Sequence, residues 1–274
     1  MQNKKVLLIG AGNMGSAIGK ALLAQHFIVP ENLFVTDTWK NNLDYFADKN
    51  CITSVNTEEL LSKADIVVLA TKPQVLRELL LTWKMKELFK HDVILISIAA
   101  GISVKTIQDS SGVTTVVRVM PNMPLLVEKG VSGYFVSDEL QNQTDDVLYV
   151  KKMMNCFGLA VSCETEEKIN AITALSGSGP AYFFRLLESM QEQGEKFGFT
   201  QTESEQIALH TLLGAGLLAE KALQNKTDTF TSLREKVTSK GGTTAAALDS
   251  FEKNNLSEIF QKGMHAAKNR AEEL

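Results

Sequence analysis

Little in this sequence points to a disulfide frame, a membrane or a nucleic acid. It has three cysteines, Cys51, Cys156 and Cys163, widely spaced and with no CxxC pattern. That excludes a disulfide-stapled scaffold and a zinc ribbon, and reads as reduced thiols in a cytoplasmic protein. Lys and Arg number 28 against 32 Asp and Glu, a net charge of −4. No basic footprint is left for nucleic acid, so none is expected as a partner. No apolar run approaches the roughly 18 residues of a spanning helix, so no membrane partner is expected either. The opening Met1-Gln2-Asn3-Lys4-Lys5 lacks signal-peptide anatomy. Catalytic side chains are also scarce. None of the four histidines (His26, His91, His210, His265) falls in a loop with catalytic logic, and no paired carboxylates or metal-ligand cluster stand out.

What is present is ordinary globular material: 274 residues, 44% hydrophobic and 22% charged. At about 150 residues each, that suggests two domains. The patterning divides near Ser162 to Glu164, giving an expected first domain over 1–163 and a second over 164–274.

In the first part, short continuous apolar runs alternate with helical spacing. Val6-Leu7-Leu8-Ile9, Leu33 to Asp37, Ile66 to Ala70, Val93 to Ile98 and Val116 to Met120 read as strands of a parallel sheet, the continuous apolar runs among them buried on both faces. Val131 to Val136 adds a further strand. Val147 to Phe157 is helical and meets Gly158 as a C-cap signal. The fold class is therefore α/β, a Rossmann-like, doubly wound, mostly parallel sheet. Its ligand edge lies at the carboxyl ends of the strands.

The motifs sit at that edge. Gly10-Ala11-Gly12-Asn13-Met14-Gly15 follows the Val6–Ile9 run at once and opens a helix. In that context the glycines permit a tight turn, close approach of a pyrophosphate, and close helix–strand packing. Asp37 stands 22 residues beyond Gly15 at the end of the second strand. A carboxylate there binds an adenosine ribose 2′-hydroxyl, which favours NAD(H), or else serves as a strand-end turn residue. Thr36, Thr38 and Lys40 beside it suit a 2′-phosphate, keeping NADP(H) open. Thr71-Lys72-Pro73 and Ala99-Ala100-Gly101 occupy the ends of two more strands, with Lys72 read either as a surface lysine or as a site residue. Two prolines frame Asn122 and Met123 in a stiff turn at the same edge.

Beyond residue 164 the strand patterns vanish and an all-α region is expected. Glu164, Glu166 and Glu167 suit a first helical turn. Ser176-Gly177-Ser178-Gly179-Pro180 kinks or breaks that helix and reads as close helix packing. Thr202-Glu203-Ser204-Glu205 reads as a capping box. The helix it opens is apolar around much of its circumference, as at a subunit interface. Val237 to Leu248 carries Ser239, Gly241, Gly242, Thr243 and Thr244 ahead of an alanine run. It reads either as a capped turn or as a helix N-terminus open to an anion. A dinucleotide domain ahead of a helical one suggests an oxidoreductase, and with so few acids and bases an imine substrate would fit. The rivals are a hydroxy-acid dehydrogenase and a non-catalytic dinucleotide-binding protein.

These motifs, together with Ala174-Leu175-Ser176-Gly177-Ser178-Gly179-Pro180-Ala181-Tyr182, resemble the pyrroline-5-carboxylate reductase family. The match spans nearly the whole chain in family order. Lys240 stands where the family usually has proline, and Met123 where threonine is usual. The resemblance implies hydride transfer from NAD(P)H, with a lean to NADP(H), to the C=N bond of 1-pyrroline-5-carboxylate, giving L-proline. It places cofactor contacts on Gly10, Ala11, Gly12, Asn13, Met14, Thr36, Asn56, Ala70, Thr71, Lys72, Ile98, Ala99 and Ala100; Ile9, Gly15, Asp37 and Pro73, at the same strand ends, complete the expected cofactor set, and the family's lean to NADP(H) competes with the reading of Asp37. Substrate contacts fall on Ser239, Gly241, Gly242, Thr243 and Thr244, with Thr244 bonding the ring nitrogen. A homodimer through the C-terminal helical domain, assembling further into a decamer, is also implied.

Overall fold

The computed structural model describes residues 4–273. The first three residues of the N-terminal segment considered above therefore lie outside the described residues. The first compact unit runs to Ser178 and takes in the end of the chain from Ala267; the second is Gly179–Ala266.

The first unit is built on one eight-stranded sheet. Its elements begin β1 (Val6–Ile9), α1 (Asn13–Ala24), β2 (Leu33–Thr36), α2 (Asp44–Asp48), β3 (Ile52–Ser54), α3 (Glu58–Leu61) and β4 (Ile66–Leu69). They continue with α4 (Pro73–Met85), β5 (Ile94–Ser97), α5 (Val104–Ser111), β6 (Val116–Met120), β7 (Gly130–Val136), α6 (Asp138–Gln141), α7 (Thr144–Asn155) and β8 (Gly158–Ser162). Strand order is β3-β2-β1-β4-β5-β6-β7-β8. Every pairing is parallel except β6 with β7. The order reverses between β1 and β4, so the chain leaves a crevice at their carboxyl ends.

The continuous apolar runs have the expected cause, because each strand is covered on both faces. Leu8, Val35, Val68 and Ile96 pack on one face with Ile18 and Leu22 of α1 and Met153 of α7. Leu7, Phe34, Val67 and Leu95 pack on the other with Leu76, Leu80 and Trp83 of α4 and Ile107 of α5. A side chain of this kind, once buried, contributes about 1.5–3 kcal/mol.

Two strands differ from the sequence reading. Gly158 opens β8 rather than only ending a helix, and α7 stops at Asn155. Ile52–Ser54 forms β3 at the opposite edge. Both are edge strands with partly exposed residues: β3 is short and mostly polar, and β8 has only the three-residue apolar run Leu159-Ala160-Val161.

After β8 come α8 (Glu167–Ile172), a π-helical turn over Thr173–Gly177, and α9 (Gly179–Lys196). The expected break at the Ser-Gly-Ser-Gly tract takes the form of that π turn. Then follow α10 (Gln201–Asn225), α11 (Phe230–Lys236), α12 (Thr243–Lys253) and α13 (Leu256–Glu272). The capping box sits two residues earlier than the spacing suggested. Thr200, not Thr202, is the N-cap: its hydroxyl accepts from the Glu203 N–H, and Glu203 accepts from the Thr200 N–H at 2.8 Å. Both registers offer Thr-x-x-Glu, but Thr200 is the residue held extended just ahead of the helix, and that geometry selects it. Helices α9 and α10 approach closely at Gly194, where an added Cβ would lie 2.6 Å from the Ser204 hydroxyl.

Candidate cofactor edge and helix N-terminus

The glycine loop is shaped by contacts that no side chain would survive. Gly10 has φ +94°, and a Cβ there would lie 2.7 Å from the carbonyl oxygen of Ala70 at the end of β4. A Cβ on Gly15 would overlap the carbonyl oxygen of Gly10, so α1 can settle on the turn only with glycine at that position. Gly12 is different. It caps α1 in an ordinary extended conformation, and nothing lies within 4 Å of where its Cβ would stand. No side chain caps the first turn of α1, which leaves its N–H groups and positive dipole end facing the space above Gly12.

The residues around this loop fall into two sets. Ile9, Ala11, Thr36 and Ala99 are buried supports. Ile9 accepts a hydrogen bond from the Ala70 N–H at 2.9 Å, and Thr36 accepts one from the Gly10 N–H at 2.8 Å. The Thr36 hydroxyl, expected to meet the cofactor, is fully buried and paired with the Thr57 hydroxyl at 3.0 Å. The Asp37 carboxylate braces the loop: Oδ2 accepts from the Ala11 N–H at 2.7 Å and Oδ1 from the Trp39 N–H at 2.8 Å.

Asn13, Met14, Asn56, Thr71, Lys72, Pro73, Ile98 and Ala100 are at least partly exposed near the strand ends. Asn56 is tied to its own turn, donating to Glu59 at 3.0 Å and accepting from the Glu58 N–H at 3.2 Å. The Thr71 hydroxyl is buried without a hydrogen-bond partner among the described residues. An orphaned hydroxyl, a space kept open over Gly12 and an uncapped helix N-terminus together fit a dinucleotide. Gly10 to Gly15 and Ala70 to Lys72 would hold it, its pyrophosphate on the start of α1.

Sequence reasoning missed a polar stitch in the middle of β6. The guanidinium of Arg118, on a strand whose neighbours Val117 and Val119 are buried, donates to Glu166 Oε1 at 2.9 Å and to Asn170 Oδ1 at 3.3 Å. The same Glu166 oxygen accepts from the Val104 N–H at 2.9 Å. A lone arginine inside an apolar run was the available signal, since a buried charge needs a partner. Four residues on, Asn122 is buried and fully engaged. Its Nδ2 donates to the Ser176 carbonyl at 3.1 Å and the Ser176 hydroxyl at 3.0 Å, and its Oδ1 accepts from the Val131 N–H at 2.8 Å. Met123, beside it, is exposed.

The second unit carries the other expected group. Gly241 has φ +72°, a conformation that favours glycine. The Gly242 N–H closes a turn onto the Ser239 carbonyl at 3.0 Å, and the Ser239 hydroxyl folds over Gly242 where a Cβ would otherwise stand. Gly242 itself, rather than a threonine, is the N-cap of α12, and no side chain bonds to the first turn. Ser239, Lys240, Gly241 and Thr243 are exposed, with Thr244 half-buried. An 11-residue helix therefore presents an uncapped N-terminus ringed by hydroxyls.

Other chemistries find less support. Burial pushes the thiols of Cys51, where the Glu31 charge adds to it, and of Cys156 up to about 11, and burial raises Cys163 as well. All three stay protonated at neutral pH and are poor nucleophiles. Among the described residues no three His, Cys, Asp or Glu converge as a metal site. A polar groove of about 1240 Å³ opens at the other end of the strands, near Lys4, Asp65 and Lys90. Two of its lysines are paired within it, Lys4 on Asp146 at 2.6 Å and Lys90 on Asp65. It lies away from the ligand edge.

Comparison with known proteins agrees with this layout. Residues 166–274 match the family model described as pyrroline-5-carboxylate reductase dimerisation. Residues 5–101 match the one described as NADP oxidoreductase coenzyme F420-dependent. The pyrroline-5-carboxylate reductase of Haemophilus influenzae is 36% identical over 276 residues, covering 100% of this chain and 98% of that protein. A solved pyrroline-5-carboxylate reductase from Coxiella burnetii has a TM-score of 0.89 at 33% identity, covering 99% of this chain and 98% of that one. The Plasmodium falciparum pyrroline carboxylate reductase, solved with NADP bound, has a TM-score of 0.84 at 30% identity, with the same coverage. With its dinucleotide edge, its helical region and full-length likeness at this level, the chain belongs to the pyrroline-5-carboxylate reductase family.

Proposed function

We infer that this chain reduces 1-pyrroline-5-carboxylate to L-proline, with NADP(H) as its cofactor, as the last step of proline synthesis. The observation that carries the reading is the uncapped start of α12 behind Gly241 and Gly242, in a chain that matches reductases end to end. The bound cofactor supplies the hydride. The protein's part is to bind and orient. The backbone N–H groups around Gly241 to Thr243 and the Ser239 hydroxyl hold the substrate carboxylate, an anion suited to a helix N-terminus. Thr244 donates its hydroxyl to the ring nitrogen and fixes which face of the C=N bond is presented. Lys240, exposed in the same loop, adds positive charge near that carboxylate.

A hydroxyl is a weak acid, so positioning dominates. Losing one neutral hydrogen bond costs about 0.5–1.5 kcal/mol, so Thr244→Ala is expected to lower kcat/KM by up to about tenfold. Steady-state kinetics check this, and a loss of about four orders of magnitude would make Thr244 an essential acid instead. The reading as a whole is tested by following NADPH and NADH oxidation with pyrroline-5-carboxylate against a panel of 2- and 3-hydroxy acids. No turnover of the imine with either cofactor rejects it.

The family match supports oligomer formation, and we assign the contact to the helical unit of two copies. In α10 only Ser204, Ala208 and Ala222 are buried, while Leu213, Leu217 and Leu218 lie exposed. A 25-residue helix so apolar and so bare has no reason to fold alone. Leu217→Glu is expected to reduce the mass seen by light scattering to that of a single chain and to lower Tm. An unchanged mass would place the contact elsewhere. The wild-type mass in the same measurement distinguishes a dimer from the decamer. Among the described residues no helix is long and apolar enough to cross a membrane. Three free thiols suit a cytoplasmic setting.

A further inference from the structure

We propose that Arg118 and Glu166 form a positioning pair for hydride transfer, holding the ligand-edge loop that leads into α5 in register with the π turn at Thr173–Gly177. The proposal rests on the reductase reading above. Arg118 belongs to β6, Glu166 caps α8, and one oxygen of Glu166 accepts both the Arg118 guanidinium and the Val104 N–H, each at 2.9 Å. Val104 is the first residue of α5, and its N–H is one that helix geometry leaves without a partner. The preceding residues, Ile98 to Gly101, follow β5 directly at the edge expected to carry the cofactor. Asn170, one turn along α8, takes a second guanidinium nitrogen at 3.3 Å. α8 then runs into the π turn, which Asn122 grips through Ser176. The cofactor loop and the π turn are thus referred to one buried charge pair, its side chains 8% and 23% exposed.

Stability alone is a poor reason for this arrangement. A buried ion pair seldom outperforms apolar residues of the same size. An apolar pair would, however, leave the Val104 N–H unheld. π turns are frequent at functional sites, and hydride transfer is sensitive to small misplacements of the reacting atoms.

The full chain serves for the test, as wild type, as Arg118→Met with Glu166→Met together, and as Glu166→Gln. The paired Met variant should keep its assembly mass, and its NADPH Kd by fluorescence quenching should stay within about twofold of wild type, while kcat falls at least about tenfold. The primary isotope effect with deuterated NADPH should rise as the chemical step slows. Glu166→Gln keeps an acceptor oxygen at the same place and should lose only about threefold in kcat, with faster exchange of the Val104 amide proton. A paired variant with wild-type kcat overturns the proposal, as does one whose Kd and Tm collapse in step with kcat. If the pair does not fold, Glu166→Gln decides: wild-type kcat with faster Val104 exchange overturns it, and the threefold loss at unchanged Kd supports it. Failure of the wild-type chain to reduce the imine would instead remove the reductase reading, before any variant is made.

Discussion

Gly15→Ala is expected to weaken NADPH binding at least about 100-fold and to destabilise the first unit. The added methyl would overlap the carbonyl oxygen of Gly10, and Gly10 is itself pinned between the Thr36 carbonyl and Ala70. Nothing in that stack is a flexible side-chain end that could swing away. Overpacking of this kind costs about 3 kcal/mol, and relief comes only by lifting α1 off β1, which moves the N–H groups meant for the pyrophosphate. A Tm lowered by roughly 10 °C and a cofactor Kd raised at least about 100-fold are the expected readings. Gly12→Ala gives the contrast. Its Cβ meets nothing within 4 Å and its backbone is in an ordinary region. Stability should stay within about 1 kcal/mol of wild type, while NADPH binding weakens because the methyl enters the space the ligand needs. If the two variants fall equally in Tm, or if Gly12→Ala binds NADPH normally, the assignment of this loop is wrong.

Asn122→Ala carries the second large effect. The side chain is buried and makes three hydrogen bonds: two to Ser176 and one from the Val131 N–H. Alanine leaves the Val131 N–H and the Ser176 carbonyl without their partner. Each unsatisfied buried group costs about 1–3 kcal/mol, so a loss near 3 kcal/mol in urea unfolding is expected. Activity should fall further than stability explains, because the π turn then loses its grip on the end of β6. Activity and stability declining strictly in parallel across temperature would argue against that second part.

How much of this was legible in the sequence depended on how local the cause was. Val6–Ile9 and Ile66–Leu69 announced themselves because burial on both faces demands an unbroken apolar run. Gly10 to Gly15 was legible because strand, turn and helix follow one another without a gap. β3 and β8 were not, since an edge strand has a neighbour on one side only: it can be as polar as Ile52-Thr53-Ser54, or as short in its apolar run as Leu159-Ala160-Val161. The capping register at Thr200 was ambiguous because Thr202 offers the same spacing, and only the path of the preceding chain decides. Thr36 was placed on the ligand by family likeness, whereas the sheet buries its hydroxyl against Thr57. Arg118 and Glu166 are 48 residues apart; no periodicity links them, and the pairing exists only once β6 and α8 are adjacent. The loop from Ser239 to Thr244 was legible as a helix start, and the finding that Gly242 rather than a threonine caps it makes that end more open than expected.

The bareness of α10 has a consequence for how the protein behaves when scarce. If a second copy completes the helical unit, as proposed above, folding that unit and meeting a partner become one event. Each tenfold dilution then removes about 1.4 kcal/mol from apparent stability. Synthesis at half the usual rate would yield less than half the working enzyme. Cells making this chain would then face a threshold of supply, below which a newly made copy waits longer for a partner and stays exposed to proteases meanwhile.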